Sequence, residues 1–129
     1  MFCITIRNPL KNGNYNVKLI KTDLLGNPLI EKETVFTING QDQTTTNGEI
    51  SLATEKKITE DGQKDEYKIK ESSAPEGFEL YTGEVNLIAV GKELDESFEL
   101  DKENTKLTVD GEELVQGQLS KDGYVTWSL

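Results

Sequence analysis

The chain has 129 residues, 34% of them hydrophobic and 29% charged, which suits one compact domain with a modest core and is too short for two ordinary ones. A formal net charge of −10 with no basic run to offset it excludes nucleic acid as a partner, because phosphates would be repelled. No apolar run reaches membrane-spanning length, and no basic, apolar, small-residue leader opens the chain. Cys3 is the only cysteine, so no intrachain disulfide can stiffen the domain. The lack of histidine closes the commonest zinc sites and any His-based triad.

In chain order, Thr, Val, Ile, Tyr and Phe fall in short alternating runs broken by Gly, Asn and Asp, which is a β pattern. Strands are expected near Phe2–Arg7, Tyr15–Thr22, Thr34–Asn39, Glu49–Leu52 and Glu66–Glu71, then near Gly83–Val90, Ser97–Leu100, Lys106–Val109, Leu114–Leu119 and Gly123–Leu129. Asn47-Gly48, Asp61-Gly62, Asp110-Gly111 and Asp122-Gly123 are dipeptides that accept positive φ in tight turns. Pro75 with Gly77 stops the strand before them, and Thr54–Thr59 has room for one helical turn. The pattern implies an antiparallel sandwich or a partly open barrel. Asn8-Pro9 through Asn14 reads as a linker, and strand-forming residues reach both ends of the chain. The expected organisation is therefore 1–14 as the last strand of a preceding repeat plus linker, and 15–129 as a sandwich lacking its own final strand.

Three inward-facing rows end in a polar residue. Tyr15, Val17 and Leu19 share a face and Lys21 is next; Tyr67 and Ile69 share a face and Glu71 is next; Phe2, Ile4 and Ile6 share a face and Asn8 is next. Strand ends reach solvent, so each could be a rim residue, and a rim Lys–Glu pair is worth roughly 0–1 kcal/mol. The sharper reading places Lys21 against Glu71 inside, where burial favours a neutral amine beside a neutral acid. That is a nucleophile next to a general acid, and a nearby Asn or Asp carbonyl would permit acyl transfer to the amine.

Three blocks carry a family resemblance: VKLIKTDLLGNPLIEKETVFTI, TTTNGEISL and YKIKESSAPEGF. They resemble the Cna-B/SpaA type of prealbumin-like domain, an immunoglobulin-like antiparallel β-sandwich found as a repeat in Gram-positive adhesins and pilins. The last block matches the family pattern Y-x-(apolar)-x-E-x-x-A-P-x-G-Y/F, and the likeness spans about residues 15 to 90. The resemblance implies an autocatalytic intramolecular isopeptide bond, with Lys21 as nucleophile, Glu71 as proton shuttle, and an Asn or Asp of the last strand as acceptor. It also implies an extracellular, cell-wall-anchored parent whose signal peptide and anchor lie outside this segment. The expected partners are neighbouring repeats of the same polypeptide, with strand addition from another copy and a host-surface ligand as further options.

The acceptor departs from the family pattern. Asn104 follows Phe98 and Leu100 in phase but lies in a charged, turn-like stretch; Asp101 and Asp110 are out of phase or in a turn. FCITIRN is the best acceptor strand, yet Asn8 precedes the lysine. In a tandem array Asn8 would belong to the preceding module, with this module's own acceptor beyond Leu129. Within one chain, residues 9–16 span at most about 26–29 Å, more than the roughly 17 Å needed to run back along a five-residue strand. Addition of Phe2–Arg7 to an open edge of another copy is the third route.

Two other functions compete with the stalk reading. A ligand-binding adhesin domain would use end loops such as Gln41–Asn47 and Glu60–Glu66, but these lack clustered Trp and Tyr, and Trp127 reads as core. A carboxylate hydrolase would need a cleft with paired acids, and the abundant Asp and Glu read more simply as a solvating surface. DLLGNPLIE lacks the alternating ligands of a calcium loop, so neither metal nor cofactor is expected, and the chain is not read as an enzyme.

Overall fold

The structure, a computed structural model, describes residues 2–7, 13–115 and 124–129. Eleven strands follow in order: β1 Phe2–Arg7, β2 Asn14–Lys21, β3 Val35–Ile38, β4 Gln41–Thr44, β5 Glu49–Lys57, β6 Lys64–Ser73, β7 Val85–Leu94, β8 Ser97–Leu100, β9 Lys106–Val109, β10 Glu112–Leu114 and β11 Tyr124–Ser128. They form two antiparallel sheets packed as a sandwich, the immunoglobulin-like or prealbumin-like class expected of the sequence. One sheet has the order β11-β1-β2-β5; the other runs β10-β9-β7-β6-β3-β4, with β8 paired to β7. Among the described residues no helix is long and apolar enough to cross a membrane.

The period-two pattern decides which side chains enter the core. β2 buries Tyr15, Val17, Leu19 and Lys21, and β6 buries Tyr67, Ile69 and Glu71, each on alternate positions. Phe2, Ile4 and Ile6 of β1 meet Leu87, Leu107, Val125 and Trp127 in the same cluster. Gly91 is required where β7 passes Ile58, since a Cβ there would overlap the Ile58 side chain.

Two of the differences from the sequence reading have clear causes. Gln41–Thr44, expected in a loop, pairs with β3 across the Asn39-Gly40 turn as an edge strand, and all four residues are exposed. An edge strand with no buried face leaves no hydrophobic period to read. Thr54–Thr59 forms no helical turn; β5 continues to Lys57 with register shifts against β2, and Glu55 adopts φ 47° where its N–H donates to Asn16 Oδ1. β1 lies antiparallel between β2 and β11, with Phe2 opposite Lys21 and the Phe2 and Leu129 backbones exchanging hydrogen bonds.

Candidate functional site

Lys21 closes β2 and Glu71 lies near the end of β6, so the two face each other from opposite sheets. Nζ of Lys21 lies 2.7 Å from Oε1 of Glu71, and the side chains are 1% and 0% exposed. The approach is oblique, so Oε1 receives no well-directed hydrogen bond. Oε2 is occupied by the backbone N–H of Tyr81 at 2.5 Å. Among the described residues Nζ has no second polar partner. An ammonium carries three donors, and here one carboxylate oxygen is within its reach.

Each residue is held by its own element. The Lys21 N–H donates to Gly48 O at 2.8 Å and its carbonyl accepts from Leu29 N at 2.9 Å, which pins the end of β2 between two turns. Phe2 stands opposite Lys21 in β1, and Phe36 stands opposite Glu71 in β3. The ring of Phe2 meets Phe36 and Tyr81 edge to face, with centroids 5.3 and 5.1 Å away. These three rings keep the pair dry. Tyr81 itself sits in the strandless segment after Gly77, where Gly83 leaves room for its ring: a Cβ at Gly83 would lie 2.7 Å from Tyr81 Cε1. Burial, and then the nearby Asp110 carboxylate, holds the Tyr81 phenol above its usual range.

The same two strands meet again at the other pole of the core. Tyr15 OH donates to Asp65 Oδ2 at 2.7 Å and lies 2.7 Å from Tyr67 OH; Gln63 Nε2 adds a bond to Asp65 Oδ2 at 3.0 Å. Tyr15 is six residues before Lys21, and Asp65 six before Glu71. Burial and these hydrogen bonds push the Tyr15 phenol far above its ordinary value, and burial raises Tyr67 as well. The sequence reading missed this cluster, although Asp65 continues the inward row of Tyr67, Ile69 and Glu71 one step back.

The remaining expected residues lie elsewhere. Asn8 falls outside the described residues. Asn104 is exposed and donates to Asp101 Oδ2 at 2.7 Å. Its neighbour Thr105 bonds Val90 N, and Val90 stands opposite Lys64, seven residues of β6 from Glu71. At about 3.3 Å per residue that is roughly 23 Å, so Asn104 is not brought to the pair. Asp101 is held below the usual carboxylate range, first by the Asn104 side chain. Of the end loops, Gln41–Thr44 became β4, and Lys64–Glu66 belongs to β6.

Comparison with family models, curated proteins and solved structures finds no match to the chain. The site therefore rests on its own geometry. Among the described residues no three His, Cys, Asp or Glu side chains are placed to hold a metal ion. A groove of about 460 Å³ opens on the face of β6 opposite to Glu71, between Lys68, Lys70, Glu84 and Asp110. Its two cations and two anions cancel, and it does not communicate with the pair.

Proposed function

We propose that this chain is a structural stalk module of a Gram-positive cell-surface adhesin or pilin, stiffened by an amide bond that Lys21 forms with an Asn or Asp side chain. In this reading the module is extracellular, its partners are neighbouring repeats, and its chemistry is a single self-modification. The observation that carries it is the 2.7 Å approach of a buried amine and a buried carboxylate across the two sheets. The three sequence blocks that resemble Cna-B/SpaA domains add independent support, since Lys21 and Glu71 occupy the positions that the resemblance assigns to nucleophile and proton shuttle.

The chemistry follows from the arrangement. Moving one proton from the Lys21 ammonium to the Glu71 carboxylate leaves two neutral groups in a medium that penalises charge. The amine then attacks the side-chain carbonyl carbon of an asparagine. As the new C–N bond forms and the old one breaks, the amine's spare proton passes by way of Glu71 to the departing nitrogen. Ammonia leaves, an amide remains, and Glu71 ends as the neutral acid; an aspartate acceptor would release water instead. Tyr81's N–H on Oε2 fixes the carboxyl so that Oε1 faces the amine. A covalent tie between strands serves a domain whose one cysteine offers no disulfide.

Intact mass tests this reading. The natively expressed polypeptide is expected to fall short of its sequence mass by one ammonia or one water per module, and to lose that deficit in Lys21→Ala and Glu71→Ala. A full sequence mass in the unaltered polypeptide contradicts it.

A further inference from the structure

Two tight turns of this fold are built on Asn-Gly. Asn39-Gly40 joins β3 to β4 with φ values of 50° and 83°, and Asn47-Gly48 precedes β5 with 52° and 78°. Both are left-handed at both central residues, the geometry that favours this dipeptide. Their side chains differ completely. Asn39 is clamped to β6: its Oδ1 accepts from Lys68 N at 2.8 Å and its Nδ2 donates to Glu66 O at 3.2 Å. Asn47 is exposed and its carboxamide makes no hydrogen bond among the described residues.

We infer that Asn47 is a site of spontaneous deamidation in the folded protein, and that Asn39 is protected. The reaction needs the Gly48 nitrogen to attack Asn47 Cγ. The hairpin's own hydrogen bonds run between Thr46 and Glu49, so the Gly48 N–H is uncommitted among the described residues. The new N–Cγ bond closes a succinimide and expels ammonia; water then opens either carbonyl, giving aspartate or isoaspartate. At Asn39 the same rotation of the carboxamide must first break two hydrogen bonds to β6. The labile dipeptide is also fixed by packing, because a Cβ at residue 48 would lie 3.0 Å from Leu29 O.

The product lands beside the buried pair. Gly48 O is the acceptor of the Lys21 N–H at 2.8 Å. An isoaspartate at 47 routes the backbone through Cβ and adds a methylene immediately before that carbonyl. The inference stands whether or not Lys21 forms an amide.

The test is peptide mapping of the protein after incubation in warm, mildly alkaline buffer, folded and in denaturant, reading the NH2-to-OH mass change at each site. In the folded protein Asn47 is expected to convert about tenfold faster than Asn39, the factor that two lost hydrogen bonds impose; in denaturant the two rates converge. Asn12-Gly13 lies at the edge of the described residues and is mapped separately. Equal rates in the folded protein overturn the inference, as does an Asn47 that stays intact when folded while the denatured chain converts.

Discussion

Tyr81 donates its backbone N–H to Glu71 Oε2 at 2.5 Å, which leaves Oε1 turned toward Lys21. A residue outside any strand thus sets the orientation of a carboxyl at the end of one. The acid is held from behind by the main chain and from the front by an amine, with Phe2, Phe36 and Tyr81 closing the space around it.

Removing one partner of the pair should cost far more than removing both. Measured against the chain in which the amide has not formed, Lys21→Ala or Glu71→Ala is expected to lower unfolding stability by about 3–5 kcal/mol, because a buried charged group loses its counterpart among the described residues. The double change Lys21→Met with Glu71→Leu should recover most of that loss, since apolar side chains of similar volume replace a desolvated pair. Lys18→Ala, which breaks the half-exposed pair with Glu49 at 3.6 Å, should stay within roughly 1 kcal/mol. Urea denaturation of the four variants distinguishes these outcomes.

Gly83 is expected to tolerate no side chain. In Gly83→Ala the new Cβ meets the Tyr81 ring, so the ring must move and with it the edge contact to Phe2. A loss of about 1–3 kcal/mol is expected, the usual cost of overpacking, read as a fall in thermal midpoint. Gly26→Ala, where no atom crowds the Cβ position, isolates the backbone cost of positive φ for comparison.

The tyrosine cluster predicts an alkaline limit to stability. Tyr15 and Tyr67 have folded values raised above the ordinary 10.0. The fold therefore holds the neutral phenols, and the unfolded chain releases those protons first. Their contribution is complete below about pH 10 and is lost as pH rises from there through the folded values. Absorbance titration should show Tyr15 and Tyr67 ionising only together with unfolding. Tyr15→Phe should weaken this alkaline dependence and cost about 1–3 kcal/mol at neutral pH, because Asp65 and Tyr67 each lose a buried partner.

Much of this arrangement was legible in the sequence, because a strand's side chains alternate strictly. The rows Tyr15-Val17-Leu19-Lys21 and Tyr67-Ile69-Glu71 point inward in the structure as their phase requires. Three kinds of feature were not legible. β4 has no apolar residue to mark it. Tyr81 acts through its backbone N–H, which no side-chain pattern reports. The place of β1 between β2 and β11 depends on pairing across the whole chain length, which local alternation does not encode. The Lys21–Glu71 approach itself needed both rows to come from opposite sheets, a tertiary relationship that phase alone leaves open.

The most direct measurement is the fate of the Lys21 amine. Denatured, natively expressed polypeptide would be digested and the Lys21 peptide sequenced by mass spectrometry. The account predicts a branched peptide, joined at Lys21 Nζ to an Asn- or Asp-derived carbonyl, with no tryptic cleavage after Lys21. Recovery of Lys21 as a free amine, cleaved by trypsin and open to amine labelling, would contradict it.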